Sequence, residues 1–181
     1  MAHLELAVFL ILSIANTANL NIGQLSCQGP DILPSEFHRI KIQRSFKFFS
    51  QYPNLKSEFL VRQTGERCHN AWADTLRKKV IISEPVLRDF SLRDLAGIIA
   101  HEIAHIEFPE NEHWQIDLRG AELTSTNIAL HKLNRMLSIC LDLKKIKGLS
   151  YSILYNLDWE IEDYKFRINK IKSYQSTSSP H

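Results

Sequence analysis

The chain has 181 residues, of which 44% are hydrophobic and 23% charged, proportions that are ordinary for a globular protein with a real core. The formal net charge of +2, with lysine and arginine scattered among acidic residues, does not indicate nucleic-acid binding. We therefore expect one domain over residues 27–172, with no nucleic-acid partner.

Residues 1–22 resemble a secretory signal peptide. Residues 6–15 form an apolar run that is too short to span a bilayer comfortably, and small residues follow near Ala18. A buried N-terminal helix is the alternative, because no lysine or arginine precedes the run. The segment predicts an exported protein, periplasmic or secreted, without a stable membrane span in the mature chain. Lipid attachment at Cys27 is left open as an alternative way of anchoring it.

The three cysteines are Cys27, Cys68 and Cys140. In an exported chain Cys27 can pair with Cys68, which would leave Cys140 as a buried thiol on a helix. No two of them have Cys-x-x-Cys spacing, so a zinc site built from cysteines is not expected.

The first half of the chain predicts a helix, a small sheet and a buried helix. Ser35 is a candidate N-cap for a first helix that runs to about Ser50. Three short extended runs then predict a small antiparallel sheet, at residues 59–61, 68–73 and 80–82. Ser91 is the predicted N-cap of the buried helix, which ends at Phe108 before Pro109.

The second half of the chain predicts helices only. One covers about residues 110–147 and can break near residues 124–127, which are weakly helical. Another covers about residues 151–171, and a disordered tail is predicted at 173–181. The fold class that follows is α+β, with a small antiparallel sheet packed against the buried helix and further C-terminal helices.

The buried helix contains a His-Glu-x-x-His sequence at residues 101–105. His101 and His105 project from one face of the helix, one turn apart, so their imidazoles can share one Zn²⁺. The flanking residues are almost all apolar, and burying two histidines and a glutamate without partners is costly. A metal would offset this cost, whereas a chance match on a surface helix would not explain the apolar surroundings. Glu102 is then the predicted general base, which activates water for attack on a carbonyl carbon.

A catalytic zinc site needs a third protein ligand, which we expect downstream of His105. His113 and Asp117 are four residues apart and share a helical face. His113 can therefore be the ligand, while Asp117 holds a ligand imidazole in its correct tautomer. Glu122 lies on the opposite face of a regular helix and is the alternative third ligand. A surface role is the competing interpretation for His113 and for Glu122, and we favour it for the latter.

The region from residue 70 to residue 129 resembles the HtpX and CAAX-prenyl-protease type of gluzincin metallopeptidase. The family has an Asn-Ala-aromatic strand, and this chain has Asn70-Ala71-Trp72, followed by an apolar strand at residues 80–83. The family's Leu-Ala-x-x-x-Ala-His-Glu-x-x-His helix corresponds to residues 95–105.

Downstream, the family has Glu-x-x-Ala-Asp-x-x-Gly-Ala-x-Leu, and residues 113–123 match its Asp, Gly, Ala and Leu positions. His113 replaces the ligand glutamate and Ile116 replaces the first alanine. A histidine is a competent zinc ligand, so a site with three histidines is predicted. A shifted register would instead place Glu122 at the ligand position.

The resemblance implies a zinc-dependent endopeptidase that acts on a protein or peptide substrate. It also implies that the substrate lies along the sheet edge near Asn70, Ala71 and Trp72. An oxyanion donor is needed as well, and the candidates are Tyr151, Tyr155 or His131. The alternative function is a non-catalytic, zinc-stabilised domain that binds a partner protein, which the replaced third ligand suggests. The sequence does not define the oligomeric state.

Overall fold

The computed structural model of the protein describes residues 27–50, 58–66, 68–145 and 151–178. The signal-like segment at residues 1–22 lies outside the described residues. In chain order the elements are β1 (Asp31–Ile32), α1 (Glu36–Ser45), a 3-10 turn (Phe46–Phe48), β2 (Glu58–Arg62), β3 (Ala71–Asp74), β4 (Lys79–Ser83), α2 (Glu84–Asp89), α3 (Leu92–Glu107), α4 (His113–Leu123), α5 (Thr126–Lys144) and α6 (Tyr151–Ser178). The α+β prediction is confirmed.

The four strands form one mixed sheet in the order β1-β2-β4-β3. The predicted antiparallel sheet is wrong in one respect, because β2 and β4 run parallel while the other two pairs are antiparallel. Strand β3 turns back into β4 at Lys78, which has a positive φ of 54°. It then pairs with the side of β4 that faces away from β2. The two inner strands, β2 and β4, run in the same direction, and β3 runs against them.

The main core lies between this sheet and α3. Side chains of Val61, Val80 and Ile82 from the sheet pack with those of Leu95 and Ile99 from the helix, and all five are fully buried. Burying each of them contributes about 1.5–3 kcal/mol of transfer free energy. The sheet thus supports the helix that carries the His-Glu-x-x-His sequence along its whole apolar face.

Both ends of α3 form where the sequence predicts. The Ser91 hydroxyl accepts a hydrogen bond from the backbone N–H of Asp94 at 3.1 Å, and the helix ends with Phe108 as its C-cap. Residues 84–89, between the third predicted strand and the buried helix, form the short helix α2. Pro85 lies in the first turn of α2, where the missing N–H of proline costs nothing.

The predicted helix over residues 110–147 is two helices, α4 and α5, separated at Thr124 and Ser125. Thr124 leaves the helical conformation, and the Ser125 hydroxyl accepts the backbone N–H of Ile128 and so caps α5. Helix α4 begins only at His113, because Glu112 and Gln115 form a capping box in front of it.

The last helix is longer than predicted. Helix α6 continues to Ser178, so residues 173–178 of the predicted disordered tail are helical, and residues 179–181 lie outside the described residues. Its inner side packs against α5 through Leu133, Ile168 and Ile171. No helix of the described residues is long and apolar enough to cross a lipid bilayer.

A disulfide joins Cys27 to Cys68, and Cys140 is a free, buried thiol, as predicted. The bond ties the segment before β1 to the loop before β3, on the side of the sheet occupied by Trp72 and Ile81. Lipid attachment at Cys27 would need the sulfur that this bond engages.

Candidate metal centre

The two histidines of the motif face each other on α3. Their Nε2 atoms lie 3.2 Å apart, and the rings are nearly perpendicular. Two nitrogen ligands at 2.0–2.1 Å from a tetrahedral Zn²⁺ are themselves about 3.3 Å apart. The spacing of His101 and His105 therefore fits two ligands of one metal ion.

A third imidazole approaches from the first residue of α4. The ring centre of His113 lies 5.2 Å from that of His105 and 6.1 Å from that of His101. Three imidazoles bound to one tetrahedral Zn²⁺ have ring centres about 5 Å apart. As they stand, no three His, Cys, Asp or Glu side chains in the described part of the chain have the arrangement of a complete metal site. The three imidazole rings thus lie at one place in the fold, and these three histidines are the candidate ligands of one metal ion.

All three imidazoles are held in the neutral form that binds metals. Burial lowers the pKa of His101 well below its ordinary value. Burial, assisted by the neighbouring His113, lowers the pKa of His105 to about 4. Burial and the charge of Arg167 also lower the pKa of His113. At neutral pH no proton competes strongly for the nitrogen lone pairs.

Asp117 lies behind His101 and orients it. Its Oδ1 is 2.8 Å from His101 Nδ1 and 2.7 Å from Lys132 Nζ, and its Oδ2 is 2.6 Å from Arg167 Nε. A carboxylate only accepts, so His101 Nδ1 carries the proton and Nε2 presents its lone pair towards His105. Burial alone would raise the pKa of Asp117, but Lys132 and Arg167 outweigh it and hold the pKa well below its usual range.

Glu102 is buried beside the histidines and has a carboxyl group suited to proton transfer. Burial raises its pKa to about 7, and Lys132 opposes this rise. A carboxyl group that titrates near neutral pH can both take and return a proton under ordinary conditions.

These residues line one pocket between β3 and the helices α3, α4, α5 and α6. His101, Glu102, His105 and His113 line it together with Lys132 and Arg167. The other lining residues come from β3 and the loop before it, and from α3, α5 and α6: His69, Asn70, Ala71, Ile98, Met136, Trp159, Glu160, Asp163 and Tyr164. Trp159 is 46% exposed, so the pocket reaches the protein surface.

Two of the three predicted substrate-binding residues line this pocket. Asn70 and Ala71 do so, but Trp72 does not. Successive side chains of a strand point to opposite faces, so Trp72 lies on the disulfide side of the sheet. There its ring is covered by the guanidinium of Arg62, at 4.4 Å from the ring centre.

The other candidates are not brought to the pocket. Glu122 is exposed and forms an ion pair with Arg119 at 2.9 Å, so it does not approach the histidines. Tyr151 and Tyr155 are exposed on α6, and His131 Nδ1 is 2.7 Å from Asp94 Oδ1. None of these three oxyanion candidates is among the residues that line the pocket.

Lys132 and Arg167 are site residues that the sequence interpretation missed. Each is only 6% exposed although it carries a charge. Lys132 lies four residues before Met136 and eight before Cys140, on the apolar side of α5. A lysine or arginine at a position of an apolar helical stripe could have predicted this burial. Such a residue is buried only when it has a charged partner.

A His-Glu-x-x-His helix against a small sheet is typical of the zincin class of metallopeptidases. The profile of Peptidase family M48 matches residues 41–138, more than half of the chain, and the protein therefore belongs to this family, the metallopeptidases of the HtpX and CAAX-protease type. The family resemblance inferred from the sequence is confirmed. No curated protein and no solved structure matches the chain.

Proposed function

We propose that this protein is a zinc-dependent endopeptidase that binds Zn²⁺ through His101, His105 and His113. The observation that carries the proposal is the pair of Nε2 atoms 3.2 Å apart, one of them oriented by Asp117 from behind. The donor set fits zinc, since neutral imidazoles are common zinc ligands and each here has a lowered pKa. His113 takes the position at which the family's sequence has a glutamate.

When bound, zinc would polarise the carbonyl group of the substrate and make water more acidic. Glu102 would accept the proton that the attacking water loses, and would deliver it to the nitrogen of the leaving amine. Its pKa of about 7 suits both transfers. Asp117 would keep His101 in the tautomer that binds metal, and Lys132 and Arg167 would keep Asp117 ionised.

The substrate would bind along β3. This strand is at the end of the sheet and pairs only with β4 among the described strands, so its other edge can pair with an extended peptide. Asn70 and Ala71 connect this edge to the pocket, since both line it. A peptide on the edge would thus have one of its carbonyl groups near Glu102.

The test is cleavage of an unfolded protein by the purified mature chain, with zinc quantified on the same sample. Wild type is expected to bind one zinc per chain and to cleave. Glu102→Gln should keep the zinc and lose activity by about 10²–10⁴-fold, the usual contribution of general base catalysis. Zinc binding without cleavage by wild type would support the non-catalytic alternative instead.

The third ligand is tested by a matched pair of variants. His113→Ala should lose most of the bound zinc, whereas Glu122→Ala should retain it, because Glu122 is exposed and paired with Arg119. Loss of zinc in Glu122→Ala with retention in His113→Ala would reverse the assignment.

We also propose that residues 27–172 form a single exported domain. The disulfide between Cys27 and Cys68 supports this, since such bonds persist in oxidising compartments. Fractionation of cells that produce the full chain tests it: mature protein starting after residue 18 should be found outside the cytoplasm.

A further inference from the structure

Glu160 is a carboxyl group on the α6 wall of the pocket. Lys132 and Arg167 contact Asp117, and Asp163 accepts a hydrogen bond from Arg167 Nη1 at 3.1 Å. Glu160 also lines the pocket and is half-buried, but it has no hydrogen-bond or ion-pair partner within the described residues. A half-buried carboxyl group that lacks a protein counter-charge can pair with a cation from elsewhere, and such a pair is stronger than one in bulk water.

Glu160 lies on the same helix as Arg167, at a distance from the candidate metal centre. It precedes Arg167 by seven residues, which is two helical turns, so the two side chains share a face of α6 about 10 Å apart along the axis. Arg167 is the member of this pair that contacts Asp117. Glu160 lies two turns earlier, near Cys140 of α5. The charge of Glu160 helps to raise the pKa of the Cys140 thiol.

The pKa of Glu160 indicates that no nearby cation fully compensates its charge. Burial raises the pKa of Glu160, the neighbouring Asp163 raises it further, and Arg167 opposes this only in part. Arg167 is already engaged by Asp117 and Asp163, so it does not swing to Glu160 without breaking those contacts. A cation supplied by a ligand would restore the balance of charge.

We infer that Glu160 forms a subsite for a cationic side chain of the substrate, so that the enzyme prefers peptides with lysine or arginine close to the cleaved bond. The inference rests on the proposed function. The apolar stem of such a side chain would pack along Met136 and Trp159, which line the same pocket, while its head group reaches the carboxylate. The other acid on this wall, Asp163, would remain paired with Arg167.

The test uses N-acetylated peptides, so that no free amino terminus competes for the carboxylate. A peptide mixture, with cleavage sites mapped by mass spectrometry, identifies the preferred position, and a matched pair with lysine or norleucine there is then compared. Wild type should cleave the lysine peptide with about tenfold higher kcat/KM, as expected for one partly buried ion pair.

Glu160→Gln should abolish this preference, and Glu160→Lys should replace it with a preference for a glutamate peptide. The control is Glu162→Gln on the same helix, because Glu162 is exposed and already paired with Lys165 at 2.7 Å. This control should behave like wild type.

A binding measurement separates this inference from the proposed function. The affinities of the same two peptides for the zinc-loaded Glu102→Gln chain, with and without Glu160→Gln, are measured by fluorescence anisotropy. If wild type cleaves without a preference for basic residues, or if Glu160→Gln retains that preference, the inference is overturned and the peptidase stands. If no variant cleaves, N-acetylated peptides with a single lysine at successive positions are compared for binding instead. If one of them binds more tightly only with Glu160 present, the subsite stands and the peptidase proposal fails.

Discussion

Asp117 accepts contacts from side chains of three other helices. His101 belongs to α3, Lys132 to α5 and Arg167 to α6, while Asp117 itself is on α4. Asp117 is 1% exposed, and the two cations are each 6% exposed. The negative charge therefore serves two purposes, since it orients a candidate metal ligand and neutralises two buried cations.

Replacing Asp117 with asparagine should lower the free energy of unfolding by about 3–5 kcal/mol, because Lys132 would be left buried without a counter-charge and Arg167 would keep only Asp163. Urea denaturation of the metal-free chain measures this effect apart from any loss of zinc. The matched control is Asp142→Asn, whose exposed pair with Lys145 should contribute less than about 1 kcal/mol. Equal losses in the two variants would show that the buried network is not stabilising.

Cys140 should be chemically inert in the folded protein. Burial raises its thiol pKa to about 12, so almost no thiolate exists at pH 8. Iodoacetamide is therefore expected to alkylate Cys140 at least about 10²-fold more slowly in the native chain than in urea, where a free thiol has a pKa near 8.5. Mass spectrometry after timed quenching gives both rates. Comparable rates would mean that the α5–α6 contact opens readily.

At the scale of elements, Gly97 permits the close contact between α3 and α5. A Cβ atom at this position would lie 3.1 Å from Lys132 Cβ and 3.3 Å from Ile128 Cγ2. Glycine in a helix costs about 1 kcal/mol relative to alanine, so its use here is explained by the approach of α5 rather than by the helix itself. That approach brings Lys132 within reach of Asp117.

Gly97→Leu should destabilise the protein by about 2–3 kcal/mol through overpacking. Gly97→Ala should have a much smaller effect, since its gain in helix propensity offsets a contact tightened by a few tenths of an ångström. Urea midpoints of the two variants and wild type provide the comparison. A leucine variant as stable as the alanine variant would show that α5 shifts freely.

Elements governed by local sequence could be predicted, and those governed by distant contacts could not. Helix α3 was predicted with its Ser91 cap and its end at Phe108, because capping and apolar periodicity act within a few residues. The parallel pairing of β2 with β4 could not be predicted, because it depends on contacts between strands that are distant in sequence. Strands of four or five residues carry too little pattern to specify their neighbours.

The residues of the candidate site also fall into those that local sequence predicts and those that distant contacts bring to the site. His101, Glu102 and His105 follow from spacing within one helix, and helical spacing also predicted that His113 and Glu122 would not both face the same site. Lys132 and Arg167 were missed, because their partner Asp117 is 15 and 50 residues away in sequence. Glu160 belongs to the same group, as only the packing of α6 against α5 brings it to the pocket.

For the molecule as a whole, the disulfide is the largest single restraint on the unfolded chain. It closes a loop with a sequence separation of 41 residues, for which the loop-entropy model gives about 4 kcal/mol at 25 °C. The double variant Cys27→Ala with Cys68→Ala should lose stability of this order, measured by urea unfolding against Cys140→Ala as the thiol control. A loss no greater than that of the control would mean that the segment before β1 contributes little to the fold.

Stability should also fall as the pH falls, with a dependence that zinc modifies. The pKa values of His101, His105 and His113 are lowered in the folded state, whereas in the unfolded chain histidine titrates near 6.5. A group with a lowered folded pKa contributes stability that is present above its unfolded pKa and is lost as the pH falls through its folded pKa. For His105 that interval runs from about 6.5 down to about 4.

The raised pKa values of Glu102 and Glu160 act in the opposite direction, since both groups bind a proton more readily in the folded chain. We expect the three imidazoles to outweigh them, so the metal-free chain should lose free energy of unfolding between pH 6.5 and pH 4, and His105→Gln should make the slope shallower. Excess zinc should stabilise the chain at pH 7.5, because the metal binds only the folded arrangement of the three rings. The stabilisation should be much smaller at pH 5, where protons compete for the same nitrogen atoms. Thermal unfolding with EDTA or zinc across this range measures both effects. A zinc-induced shift in Tm that is the same at pH 5 and pH 7.5 would argue that the metal binds somewhere other than these imidazoles.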